Sequence, residues 1–377
     1  MVPRRKGRIY RKFINLQSFC NKLPLLSSQS HALLTGRDIK DSLGGLRAVL
    51  IYFWRLRLRP RLLPHCFCPP NLLDFSIVMA TQLAGTATFN GHSMVGSLRR
   101  VLVCSPANAG WSNAKEVARW RELGFHHQPS GRAAQTQHEG LCRELQAAGA
   151  EIFHLPASGE LSLDAVYTHD ASLLTDFGVI LMNPGKPNRN GEADAHRNAY
   201  QRAGIPVLGE IKHPGTTEAG DMVWLDAATL LIGNGYRTNA SGIAQMRELL
   251  RPKGVDVISA PLPYGPGPSA CLHLMSLMSL LDERTALVDL PWLAVETVEL
   301  LKARGYKFIE IDPSERDTLA CNVLSLGERR LLAIEENRKT NHCLRQAGFD
   351  VRTLLGSELC INGSGGPTCL TRPVLRG

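Results

Sequence analysis

Near the end of the chain, Gly363-Ser364-Gly365-Gly366-Pro367-Thr368-Cys369 sets a cysteine behind a run of glycines. Glycine permits backbone angles and close approaches closed to other residues, so such a loop can hold a thiol against a bound ligand. A thiolate there is a nucleophile if a cation or base favours the charged form; the alternative is a structural thiol in a C-terminal tail. His273, between Leu272 and Leu274, offers an acid and base, with a satisfied core histidine as the alternative. Thr217-Glu218-Ala219-Gly220-Asp221 carries two carboxylates three residues apart, a pattern also common in surface turns. Asp164 and Asp170 bracket an otherwise apolar stretch, with His169 next to the second. Their even separation puts both on one face of a strand, and two inward carboxylates call for a cationic partner or substrate. Arg189 and Arg237 each lie in a turn-rich segment between strand and helix. An arginine there is either solvated or a bidentate clamp for a carboxylate.

These residues are far apart in sequence, so the fold must gather them. Three times from Met222 onward, two short apolar runs are followed by a helical stretch and a further strand, at a spacing of roughly 50–60 residues. The strands are Met222–Leu225, Thr229–Ile232 and Val255–Ser259; then Leu274–Leu281, Ala286–Leu290 and Lys307–Ile311; then Asn322–Leu326, Arg330–Ala333 and Asp350–Leu354. The helices between them fall near Ser241–Leu250, Ala294–Ala303 and Asn337–Ala347. Upstream, Arg100–Cys104, Val179–Met182 and Pro206–Leu208 read as strands, and Gln135–Ala148 and Glu192–Ala203 as helices. A doubly wound sheet alternates single strands with helices, so repeated hairpins argue against it. The expected fold class is α/β, an α/β propeller of repeated ββαβ units round a central channel where hairpin ends meet.

The chain has 377 residues, 44% apolar and 20% charged, the profile of a globular protein with a full core. Its net charge of +9 belongs to one end. Residues 1–78 hold 14 of the 43 Lys/Arg and only Asp38, Asp41 and Asp74 of the 34 acidic residues, which leaves 29 basic and 31 acidic residues in the body. Nothing there points to a nucleic-acid partner. The expected division is a basic segment over 1–78, a targeting sequence, a disordered arm or the product of a mis-assigned start, and one catalytic domain over 79–377. The best apolar run of that segment, Ala48–Trp54, is far too short for a membrane span. His65, Cys66 and Cys68 form the one tight cluster of metal-ligand types and lack the paired spacings of a zinc site, so neither metal nor other cofactor is expected. The scattered cysteines suit reduced thiols and a cytoplasmic location.

In order, Val95-Gly96-Ser97-Leu98-Arg99-Arg100-Val101-Leu102-Val103, Thr168-His169-Asp170, Glu218-Ala219-Gly220-Asp221, Arg237-Thr238-Asn239, Leu272-His273-Leu274 and Gly-Gly-Pro-Thr-Cys369 resemble motifs of the guanidino-group-modifying, or pentein, superfamily of dimethylargininases, arginine deiminases and amidinotransferases. The resemblance implies a hydrolase of arginine or N-methylated arginine that forms a covalent thiouronium on Cys369 and releases citrulline with ammonia or an amine. In that scheme His273 is the acid and base, and Asp170 and Glu218 hold the guanidinium. Arg189 and Arg237 clamp the amino-acid end, and Asp164 and His169 add to substrate binding. The partner is a small guanidino compound, with a homodimer allowed. Two departures stand out. Met275 occupies the place of a deiminase aspartate, and His169 that of a dimethylargininase acid, which together lean toward an N-alkylated substrate. An amidinotransferase with the same residues, or a non-catalytic binding module on the same fold, are the other readings.

Overall fold

Ser172–Thr175 and Gly178–Leu181 are short apolar runs separated only by Asp176 and Phe177, a two-residue connection that forces them into an antiparallel hairpin. In the computed structural model of the protein, which describes residues 88–268, 270 and 272–377, that hairpin is one of four alike. Those residues belong to one unit, Gln82–Gly377. The basic segment over 1–78, with its His65, Cys66 and Cys68, lies outside the described residues.

The strands are β1 (Leu98–Val103), β2 (Glu151–His154), β3 (Ser172–Thr175), β4 (Gly178–Leu181), β5 (Val207–Glu210), β6 (Met222–Asp226), β7 (Thr229–Asn234), β8 (Asp256–Pro261), β9 (Met278–Asp282), β10 (Thr285–Val288), β11 (Lys307–Glu310), β12 (Leu324–Gly327), β13 (Arg330–Ile334), β14 (Asp350–Leu354) and β15 (Arg372–Arg376). They form five three-stranded sheets, each an antiparallel pair extended by a parallel strand. A helix links the parallel pair each time: α1 (Gly131–Ala147), α2 (Glu192–Arg202), α3 (Ala240–Leu250), α4 (Val295–Ala303) and α5 (Arg338–Gln346). A parallel neighbour needs a crossover, and an amphipathic helix supplies it while covering one face of the sheet.

The three expected units are present, and two more join them. β3, β4 and β5 make the fourth. The fifth is assembled from both ends: β15 pairs antiparallel with β1, with Leu102 opposite Arg372, and β1 pairs parallel with β2. Leu102, Val103, Leu141, Leu145 and Val374 are all fully buried there, so the C-terminal residues are core, not a tail. Burying such aliphatic side chains contributes roughly 1.5–3 kcal/mol each. Among the described residues no helix is long and apolar enough to cross a membrane.

Candidate active site

The chemistry-bearing residues share one address. Asp170 precedes β3, Glu218 and Asp221 precede β6, His273 precedes β9, Asn322 precedes β12, and Cys369 precedes β15. Each therefore lies in the loop that enters the edge strand pairing antiparallel with the middle strand of its sheet. Arg189 and Arg237 lie in the loops after β4 and β7, at the helical approach to α2 and α3.

Glu218 sits at the centre and is fully buried. His273 Nε2 lies 2.9 Å from its Oε2, and Arg237 Nη1 donates to both oxygens at 3.0 and 2.8 Å. The Lys186 amide donates to Oε1 at 3.2 Å. Burial alone would raise the Glu218 pKa, but the His273 hydrogen bond and the His273, Arg237 and Arg189 charges outweigh it and hold the carboxyl well below the usual range. Asp170 is buried 4% exposed, accepts from Arg189 Nη1 at 2.6 Å and from the Gly220 amide at 3.0 Å, and is likewise depressed: burial raises it, Arg189 and then His273 lower it further. His273 is fixed by its own main chain, since Ser276 Oγ accepts from its amide at 3.1 Å and Asp221 Oδ1 from that of Leu274 at 2.9 Å. Burial pushes Asp221 up to about 6, against the pull of His273 and of its hydrogen bonds.

Gly220 makes this packing possible. A Cβ there would stand 2.7 Å from both Asp170 Oδ1 and His273 Nδ1, so only glycine lets the two groups converge. Cys369 is partly exposed. Its Sγ receives a hydrogen bond from Asn322 Nδ2 at 3.0 Å, while Asn322 Oδ1 accepts from the Thr368 amide at 3.0 Å. The Cys369 carbonyl accepts from the His169 amide at 3.0 Å, which ties the thiol's loop to the segment bearing Asp170. Asn322 went unnoticed in the sequence; its position before β12, equivalent to that of Asp170 before β3, is the signal that finds it.

Several expectations change. Asp164 and Asp170 do not share a strand: Leu163–Val166 is a 3-10 turn and Asp170 lies in the turn that follows, while Asp164 pairs with Lys186 Nζ at 2.5 Å. Asp and Ala are disfavoured in strands and Asp favours turns, and alternation over so short a stretch cannot tell strand from turn. Arg189 is not an open clamp. It is buried and engaged by Glu192 in a two-pronged pair (2.9 and 2.7 Å), by Asp170, and by the Tyr167 carbonyl at 2.9 Å. The His169 ring faces the Thr371 carbonyl at 2.9 Å, and burial, then the Arg372 charge, push its pKa down to about 3, so it is neutral. Met275 packs with Leu272, Leu274, Leu277 and Met278 and lines a cavity shared with Arg372 and Arg376. The space beside Asp170 and Arg189 is lined instead by Ala171, Met182 and Pro184.

Asp170, Glu218 and His273 present ligand atoms within 4.8 Å of one another, a donor set a divalent ion would accept. Arg189 and Arg237 already neutralise the carboxylates, so any cation entering here must displace a guanidinium, whose planar donor set a guanidino ligand would reproduce and a metal ion would not.

Fold and site motifs together are those of the guanidino-group-modifying (pentein) superfamily. The dimethylarginine dimethylaminohydrolase of Pseudomonas aeruginosa is 28% identical over 243 residues, 64% of this chain and 89% of the relative. A crystal structure of that enzyme from P. aeruginosa, a mutant complexed with citrulline, superposes with a TM-score of 0.59 at 25% identity, covering 74% of this chain and all of the other. The amidinotransferase SxtG of Microseira wollei shares the fold, with a TM-score of 0.61 at 18% identity over 77% of this chain and 98% of its own. The sequence profile of the arginine deiminase family matches residues 162–296 and 290–376, more than half of the chain, and the chain belongs to that family.

Proposed function

We propose that the protein hydrolyses a guanidino C–N bond of arginine or an N-methylated arginine, with Cys369 as nucleophile. The Cys369 thiolate attacks the guanidinium carbon. His273 gives its proton to the departing ammonia or amine, leaving a thiouronium on sulfur. His273 then takes a proton from water, the hydroxide adds to the same carbon, and the C–S bond breaks to give citrulline and the thiolate.

One observation carries this reading: Asp170 and Glu218 already grip guanidinium groups, those of Arg189 and Arg237, beside His273. A substrate guanidinium has the same charge and planar donor set, and it would take the place of Arg237 on Glu218. Arg237, the more exposed of the two, is then released toward the substrate's carboxylate. The proposed part of Arg189, Asp164 and His169 is positional: Arg189 fixes Asp170, Asp164 anchors Lys186, and His169 ties the Cys369 loop down. The five sheets are proposed to close as a propeller, which would bring their entering loops to one end of a central channel, within a catalytic domain over 79–377.

The test is to assay citrulline from arginine and from N-methylated arginines, with glycine added as an amidino acceptor. Citrulline at a rate unaffected by glycine supports hydrolysis. Conversion of glycine to its amidino derivative would favour a transferase, and no turnover of any guanidine would leave a binding module.

A further inference from the structure

β15 carries Arg372 and Arg376, four residues apart and therefore on one face of the strand. Both are buried at 5% exposure, and among the described residues neither is in an ion pair with a carboxylate, though the charge of Asp170 reaches Arg372. Arg372 Nη2 donates to the His169 carbonyl; Arg376 Nη1 donates to the carbonyls of Gly96 at 2.6 Å and Ser325 at 2.9 Å. Carbonyls satisfy the donors without neutralising the charge. Both arginines line a cavity of about 30 Å³, room for a water-sized occupant. Four donors of its lining residues are buried without a hydrogen-bond partner among the described residues: Nε of Arg372, Nε of Arg376, Nε1 of Trp224 and Oγ1 of Thr368. Among the described residues the unpartnered side-chain acceptors of that lining are Nε2 of the neutral His169, whose Nδ1 faces the Thr371 carbonyl, and the Thr368 hydroxyl, which can also donate.

We propose that this cavity binds a small monovalent inorganic anion of halide size, held by Arg372 and Arg376. Neither buried guanidinium ion is ion-paired, and only Arg372 feels a nearby carboxylate charge, that of Asp170. Such burial is costly, and a neutral water would leave that cost in place. An anion supplies the missing charge and accepts from the orphaned donors at once. Burial lowers both guanidinium pKa values, to about 10 for Arg372, where Tyr200 and Asp170 pull the other way, and to about 9 for Arg376, where the Arg372 charge adds to it; an anion would relieve that stress. The occupant would brace the nucleophile's surroundings, because Thr368 adjoins Cys369 and Arg372 binds the carbonyl beside Asp170. The inference concerns binding and does not depend on the reaction.

Crystals of the full chain grown in sodium bromide, with data collected at the bromine edge, test it directly. An anomalous peak between the Arg372 and Arg376 guanidinium groups is expected; its absence there overturns the proposal. In solution, replacing sodium gluconate by sodium bromide at equal ionic strength should raise Tm by roughly 2–5 °C at about ten times the dissociation constant. Arg376→Gln should abolish that rise. Equal Tm values in the two salts, or a rise that survives in Arg376→Gln, would overturn it.

Discussion

Gly220→Ala probes the convergence of Asp170 and His273 with a single methyl group. The new Cβ would lie 2.7 Å from Asp170 Oδ1 and 2.7 Å from His273 Nδ1, where ordinary contact begins at 3.4 Å, so the groups and the backbone must yield by about 0.7 Å between them. Neither can swing away freely. Asp170 is held by Arg189 at 2.6 Å and His273 by Glu218 at 2.9 Å. Overpacking a filled site in this way costs about 1–3 kcal/mol of stability, or a fall in Tm of roughly 2–10 °C for a domain of this size. A displacement approaching 1 Å at reacting groups costs about 100-fold in rate. Steady-state citrulline formation, alongside a thermal melt, should therefore show a folded variant with kcat/KM down by about that factor. Unchanged kcat/KM would refute the claim that Asp170 and His273 act together across Gly220.

Arg237→Ala should raise KM for arginine while leaving the weak turnover of agmatine, which lacks a carboxylate, nearly unchanged; agmatine processed as well as arginine would remove Arg237 from the clamp. Arg189→Ala should instead cost about 3–5 kcal/mol of folding stability in chemical denaturation, since Asp170 and Glu192 would be left buried without their cation. Asn322→Ala, which removes the donor 3.0 Å from Cys369 Sγ, should slow alkylation by iodoacetamide at neutral pH about tenfold or more, the worth of a hydrogen bond to a charged group. Acid should destabilise the protein from pH 6.5 downward. Burial, then a neighbouring positive charge, depresses His138 to about 4 and His169 and His196 to about 3, so the unfolded chain binds their protons first. Their stabilising contribution is complete above pH 6.5 and lost as pH falls toward those values. Asp221 and Glu192, raised by burial to about 6 and about 7, take up protons first in the folded chain and offset part of that loss. The net is roughly one proton, about 1.4 kcal/mol per unit, between about pH 6.5 and 5; the depressed Asp170 and Glu218 add to the loss below about pH 4. Denaturant midpoints unchanged between pH 7 and pH 5 would contradict this.

Much of the fold was legible because the sheets' first two strands are apolar on both faces. Met222–Asp226 and Thr229–Asn234 are almost wholly buried, and such runs stand out against their helices. The closing strand was not legible: Arg372-Pro-Val-Leu-Arg376 presents arginines where alternation predicts solvent, yet its residues 372, 374 and 376 face inward. Its partner β1 is about 270 residues away, and no local pattern encodes that pairing. Cys369, His273, Glu218 and Asp170 stood out through ordered motifs, since reactive side chains in turns are visible as residue types. What the arginines do was not. Whether a loop arginine clamps a ligand or braces a neighbour depends on which carboxylate the fold brings to it, and Arg189 meets Asp170 and Glu192 only in three dimensions.

The covalent intermediate is the central claim, and mass spectrometry of the intact protein tests it most directly. Quenching in acid during turnover of arginine or an N-methylated arginine should show an added amidino-substrate mass, mapped by proteolysis to Cys369 and lost in Cys369→Ser. Turnover by Cys369→Ser at near the normal rate, or an adduct on any other residue, would contradict the account.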